Sequence, residues 1–266
     1  MTQQEQEQEK FLQYVESRQR PHEKAAVALG HLDAIRRELE RTGSYRPNLR
    51  MLDVGCGKGL YSVAFARQGY QVTGVDLNEN LISRARDFAA SSGYQVDFRS
   101  GVGGQLPFED ESFDIVFANS LLEHVPDWKG CLREWSRVLA PGGVLWVETT
   151  NVIHPRQAEY RWLPLYSWWP GPLKRLVVKA ASGPLPALAN YTPFPAVNWF
   201  SFFQLRRFLV SECGISEVRD RFHLMDETQF AKRCLKRFAL SSDLGLRCAY
   251  LLVPMVILLA RKAKRS

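Results

Sequence analysis

Apolar residues recur along this chain with a period that changes several times, and each change marks an element. Residues 2–9 are almost all Gln and Glu and predict no packed structure. From Phe11 to about Arg41 the spacing is helical: Phe11, Leu12 and Val15, then Ala25, Ala26, Leu29, Leu32, Ile35 and Leu39, return every three or four positions. Pro21 divides that stretch into two helices and Gly43 closes it. Short β-type runs then alternate with helical ones. Strands are predicted over Met51–Val54, Gln71–Val75, Gln95–Phe98 and Phe113–Ala118. Helices are predicted over Tyr61–Gln68, Leu81–Ala90 and Leu121–Leu139, and Pro141-Gly142-Gly143 turns into a strand at Val144–Glu148. Such alternation predicts an α/β fold, a parallel sheet with helices on both faces.

The rhythm breaks over residues 151–200, which hold eight of the 14 prolines and four of the seven tryptophans. Further on, Ser201–Cys213 reads as a helix with Ser201 as its cap and Gly214 as its stop, and Ile215–Arg219 as a strand. Thr228–Leu240 reads as a basic amphipathic helix, with Phe230, Cys234, Leu235 and Phe238 opposite Lys232, Arg233, Lys236 and Arg237. Ala249–Ala260 is the longest apolar run. At twelve residues broken by Pro254 it is shorter than a membrane span, so it predicts buried core, with Met255–Ala260 as a last strand.

Composition adds one asymmetry. The chain of 266 residues has a net charge of +7, but residues 1–150 are net −4 and residues 151–266 net +11. A basic second half suggests an anionic partner for that half alone. The five cysteines (Cys56, Cys131, Cys213, Cys234, Cys248) are scattered with no C-x-x-C pair, which argues against a zinc ribbon or a disulfide framework and predicts no metal and a reduced, cytoplasmic setting. The polar N-terminus is not the pattern of a secretory signal.

The candidate chemistry starts at Leu52-Asp53-Val54-Gly55-Cys56-Gly57-Lys58-Gly59, where a predicted strand hands over to a helix. Glycines let the backbone turn sharply and approach a ligand, and the helix start offers free N–H groups. Asp76 ends the next strand 21 residues after Gly55, the place from which a carboxylate can accept hydrogen bonds from ribose hydroxyls. A dinucleotide fingerprint calls for Gly or Ala at position 60; this chain has Leu60.

Four ordered stretches, LDVGCGKG, VDLNENLI, LPFEDESFDIVFANSLLEHVPD and REWSRVLAPGGVLWVET, together resemble class I S-adenosylmethionine-dependent methyltransferases, in particular the small-molecule group that includes quinone-biosynthesis enzymes. The resemblance is strong over residues 50–150 and loose over 200–260. It implies a seven-stranded Rossmann-like sheet, mostly parallel with an antiparallel last strand, helices on both faces, and S-adenosyl-L-methionine as cofactor. It further implies an N-terminal helical cap at 1–45 and a methyltransferase domain at 46–266, with 152–200 as an acceptor lid. Asp53, Gly55 and Gly57 shape the pocket for the methionine part in this reading, with Cys56 and Gly59 in the same cofactor-binding loop; Asp76 holds the ribose, Leu77 lies against adenine, and Asn119 offers backbone to the methionine end. Relatives often read Gly-Asp-Ala before Leu-Pro-Phe. Here Val102 has no side-chain acceptor, so adenine is left to backbone and packing.

A hydroxyl acceptor benefits from a general base, for which histidine is the usual choice. His154, after the fifth strand, and His124, after the fourth, both fall at the strands' carboxyl edge and are the candidates, His154 first; His223 is third, and His22 and His31 are expected to face solvent. The expected partner is a small-molecule acceptor, with peripheral membrane contact through the basic half. Nucleic acid is disfavoured: the fourth strand ends in Ala118-Asn119-Ser120-Leu121, without the Pro-Pro-aromatic pattern of base methylators. The alternatives are a nucleic-acid methyltransferase and a cofactor-binding relative without catalysis.

Overall fold

The computed structural model describes residues 10, 21–157, 159–160, 162–225 and 229–264. The predicted helix over Phe11–Val15 and the last two residues of the basic tail lie outside them. Helix α1 (Pro21–Arg41) starts at the proline, and β1 (Arg50–Val54), α2 (Leu60–Arg67), β2 (Gln71–Asp76), α3 (Glu79–Ser91), β3 (Asp97–Ser100) and β4 (Phe113–Asn119) follow. The sheet order is β3-β2-β1-β4-β5-β7-β6, with β5 spanning Leu139–Thr150, β6 Ile215–Asp220 and β7 Met255–Lys262. The first five strands are parallel, and β7 lies antiparallel between β5 and β6. The seven-stranded sheet with an inserted antiparallel strand is therefore as the sequence implied, and the apolar run of β7 reflects burial from both sides.

Alternation along β4 assigns the faces. Ile115 and Phe117 pack with Met51, Trp146, Leu259 and the inner side of α1, whereas Val116 and Ala118 join Leu52, Leu145, Val147 and the inner sides of α4 (Trp128–Val138) and α6 (Phe202–Glu212). Each such buried aliphatic side chain contributes about 1.5–3 kcal/mol. Helix α1 is also pinned electrostatically. Glu38, almost fully buried, meets Arg41 and Arg219, the latter at 2.8 Å on β6. Burial opposes its charge, but the two guanidinium groups hold the carboxyl below its ordinary range.

Two predicted elements change. The expected helix Leu121–Leu139 splits into a 3-10 turn, Leu122–His124, and α4. Pro126 disfavours helix at the residue before it, and Asp127 restarts it by accepting the Gly130 N–H at 2.9 Å. The Pro-Gly-Gly turn is absorbed into β5, which is continuous from Leu139 with a register shift against β4. The predicted basic helix is present as α8 (Phe230–Leu240), with only Ala239 buried and Phe230 78% exposed. Helices α7 (Arg221–Leu224) and α9 (Asp243–Tyr250) are additional; α9 takes up the start of the Ala249–Ala260 run.

The 151–200 connection holds α5 (Gly171–Ala181) and two short 3-10 turns around a small core of its own: Tyr160, Tyr166, Ala181, Ala189 and Ala196, flanked by Trp169 and Trp199. It returns to the sheet through Thr150, whose hydroxyl donates to the Asn198 carbonyl at 3.1 Å, and through the Val152 N–H to the Phe200 carbonyl at 2.8 Å.

Candidate functional site

A cavity of about 770 Å3 opens at the carboxyl edge of β1, β2 and β4 and runs under the 151–200 connection. Such edges collect ligands because the strand-to-helix turns leave their backbone groups there, and this volume lies within the range of small-molecule sites.

One half is made largely of backbone. Gly55 has φ 74°, and a Cβ there would lie 3.0 Å from Leu121, so glycine keeps this floor low. Its N–H and that of Cys56 both donate to the Val75 carbonyl, at 2.7 and 3.1 Å, which ties the loop to β2. Gly59 has φ 73°, and a Cβ there would sit 2.7 Å from the Phe98 ring. Asp76 projects into this half. Its Oδ2 accepts the Gly57 N–H and its Oδ1 the Asn78 N–H, each at 2.9 Å. Burial raises its pKa, and those N–H groups pull against the rise. A carboxylate fixed by two backbone donors keeps further lone pairs for ligand hydroxyls. Leu77, Asn78, Val102 and Gly103 complete the wall.

The remaining predicted loop residues lie behind the wall. Asp53 is buried and accepts the Ser62 hydroxyl at 2.5 Å, which fastens the start of α2; burial pushes its carboxyl up to about 7. Cys56 is buried in a cluster with Val63 and Phe98, and burial pushes its thiol up. Gly57, Gly59 and Asn119 are not among the lining residues, while Ser120, with φ 53°, lines the cavity in the place next to Asn119.

The other half is made of side chains. Glu123, His124, Val125 and Pro126 come from the turn after β4, and Glu159, Asn190 and Pro193–Val197 from the 151–200 connection. The two are stitched together: Val197 and Asn198 donate their N–H groups to the Glu123 carbonyl at 2.8 and 3.1 Å. The Nδ1 of His124 lies 2.7 Å from the Phe194 carbonyl. A carbonyl can only accept, so Nδ1 carries the proton, and in the neutral ring Nε2 keeps its lone pair. Glu123 is buried, with Oε2 accepting the Thr149 hydroxyl at 2.7 Å, and burial raises its pKa. Burial likewise pushes Glu159 up to about 7.

The structure thus separates the two candidate bases. His124 lines the cavity; His154 does not, and its Nδ1 sits 2.8 Å from the carbonyl of Arg156. His223 serves Asp220, with Nδ1 2.6 Å from Oδ1. The expectation that His31 faces solvent fails: on the other face of the sheet it packs 4.8 Å from the Trp146 ring, and its Nε2 lies 3.4 Å from Glu148 Oε2. The residues not predicted are Glu123, Glu159 and the 189–197 return. One signal for Glu159 was available: it is the sole acid between 151 and 200.

A methyltransferase-domain family model matches residues 52–147. A ubiquinone biosynthesis O-methyltransferase of Sinorhizobium fredii is 40% identical over 124 residues, 44% of this chain and 50% of that protein. The chain spans about half the length of the curated relatives it matches. Among solved structures, the YcgJ protein of Bacillus subtilis aligns with 86% of this chain and 99% of its own, at TM-score 0.52 and 18% identity. Phosphoethanolamine N-methyltransferase 2 of Haemonchus contortus, solved with S-adenosyl-L-methionine, aligns with 86% of this chain and 52% of its own, at TM-score 0.54 and 21% identity. These two likenesses carry the fold.

Proposed function

We propose that the chain, which carries a methyltransferase-domain match over residues 52–147, is a class I S-adenosylmethionine-dependent methyltransferase, and that it methylates a hydroxyl of a small, lipid-like acceptor. The observation that carries the reading is the continuity of one cavity from Asp76 to His124. The residues fit the cofactor: a glycine floor at Gly55 admits a closely packed ligand, and the Asp76 carboxylate faces the place of a ribose. Bound there, S-adenosyl-L-methionine supplies a methyl group on a positively charged sulfur, transferred by in-line displacement.

The chain's own residues then have separate tasks. Gly55, Asp76, Leu77 and Val102 hold and orient the nucleoside. His124, its Nδ1–H fixed on Phe194, presents Nε2 to take the acceptor's proton. Residues 152–200 act as the acceptor lid over domain 46–266, excluding water through Phe194, Pro195 and Val197, and the helix within 1–45 caps the opposite face. No Lys or Arg lines the cavity among the described residues, which favours a small acceptor over a nucleic acid.

The finer part of the proposal is peripheral membrane contact. Among the described residues no helix is long and apolar enough to cross a membrane. Exposed Phe230 and Phe238 share α8 with Lys232, Arg233, Lys236 and Arg237, and Trp162, Trp168 and Leu252 are exposed as well. This combination suits an anionic lipid surface.

The deciding experiment is transfer of labelled methyl to a cell extract, partitioned into lipid, aqueous and nucleic-acid fractions. Label in the lipid fraction is expected. Label confined to nucleic acid, or none, overturns the reading.

A further inference from the structure

The connection over 151–200 is basic, with five Lys and Arg against a single acid, yet the acid is the charged side chain it turns into the cavity. Glu159 is placed there by construction. Its Oε2 accepts the Ala196 N–H at 2.8 Å, and its own carbonyl takes the Asn190 amide at 3.4 Å, so two points of the return hold it. Among the described residues its carboxylate makes no other hydrogen bond. It shares this half of the cavity with Glu123 and His124, and no Lys or Arg lines the cavity among the described residues. Two carboxyl groups with no Lys or Arg beside them, in an apolar wall of Val125, Pro193, Phe194 and Val197, disfavour a further anion and favour a hydroxyl donor.

We propose that Glu159 is the specificity-determining residue of the acceptor half: it receives the hydrogen bond of an uncharged, hydroxylated apolar acceptor and rejects acceptors that carry a carboxylate or phosphate beside that hydroxyl. The proposal rests on the methyltransferase reading above and adds the charge class of the acceptor. The rejecting element is as important as the attractive one, because discrimination is a difference of affinities. Sites built around buried hydrogen-bonding groups discriminate more sharply than apolar pockets do.

The discrimination depends on pH. Facing Glu159 are Glu123 and His124 from the turn after β4, and Tyr160 and Tyr166 from its own connection. Burial raises the Glu159 carboxyl to about 7 and Glu123 adds to the rise, while His124 and the Ala196 N–H oppose it. The carboxyl is therefore neutral below that pH and charged above it, and rejection of anions strengthens as pH increases.

The test titrates the full chain, loaded with S-adenosylhomocysteine, with an octylphenol and with its ortho-carboxylate analogue, by calorimetry at roughly pH 6 and roughly pH 8.5. At the higher pH the phenol should bind at least ~10-fold more tightly than the carboxylate, with a smaller ratio at the lower pH. Glu159→Gln should bring the ratio within about 3-fold at both, and Glu159→Asp, which keeps the charge, should preserve the discrimination and guards against a folding defect. S-adenosylhomocysteine affinity should not change in either variant. A Glu159→Gln ratio with wild-type size and pH dependence overturns the proposal, as does failure of both probes to bind the loaded wild type. Failure of the wild type to bind S-adenosylhomocysteine overturns the methyltransferase reading itself.

Discussion

The two halves of the cavity are built by opposite means. At the β1–β2 edge, glycines and main-chain N–H groups form the surface, and one side chain, Asp76, is aimed by two of them. Under the 151–200 connection, side chains form the surface, and burial raises both of its carboxyls, Glu123 and Glu159. The first half hangs on short turns between sheet strands, the second on a connection with its own small core of Tyr160, Tyr166 and three alanines. A backbone-built site changes little when side chains on the surface change, which suits a common cofactor. A side-chain-built site can be altered one residue at a time, which suits a particular acceptor.

The largest expected effect separates the two candidate bases in the second half. With the acceptor identified by labelled transfer, His124→Ala should lower turnover by ~10²–10⁴-fold, the usual contribution of a general base. His154→Ala should leave it within about 2-fold, because that ring lies outside the cavity lining. Added imidazole should restore part of the His124→Ala loss, which a purely structural defect would not allow. Loss of turnover in the His154 variant alone would reverse the assignment.

A smaller effect is expected in the first half. Asp76→Ala removes an acceptor for two ribose hydroxyls and releases the N–H groups of Gly57 and Asn78. At about 1.5 kcal/mol per charge-assisted hydrogen bond, S-adenosylhomocysteine should bind ~100-fold more weakly. The His124 and His154 variants should not change that affinity. If they do, the two halves are not separable, and the contrast drawn above is lost.

The same contrast explains what could be seen in the sequence. The cofactor half was legible because its signals are local: glycines beside a short apolar strand, and an acid at the end of the next one. β7 was legible as a buried strand because burial on both faces leaves a continuous apolar run, and its antiparallel placement was implied by the family resemblance. The acceptor half was not, since Glu159 meets His124 only after the chain has travelled through α4 and β5, and the 189–197 return joins them only after α5. Both His124 and His154 follow strands at one edge, and the sequence reading put His154 first. The difference is made by Asn151, whose amide donates to the carbonyls of Tyr250 and Val253 at 2.8 and 2.6 Å. Those bonds draw the chain after β5 toward β7, so His154 leaves the edge away from the cavity.

The smallest effect tests the sheet's other face, where α1 meets the same edge without lining the cavity. His31 is stacked among Tyr61, Phe117 and Trp146, and its Nδ1 is buried with no hydrogen-bond partner among the described residues. Burial, with Arg221 adding, pushes its pKa down to about 4. The unfolded chain takes up a proton near pH 6.5, so the native state binds fewer protons between the two values, and His31 costs stability as pH falls through that window. Between pH 7 and pH 5 the loss integrates to roughly 2 kcal/mol. Asp53 and Glu159, both raised to about 7, act with the opposite sign, since their native carboxyls hold protons that the unfolded chain has released. The total therefore does not isolate His31, but a difference between proteins does. Denaturant unfolding at the two pH values should show His31→Phe losing roughly 2 kcal/mol less than wild type on acidification. Equal losses would mean that the imidazole is as free to protonate in the fold as in water, and that α1 rests on this edge loosely enough to admit solvent.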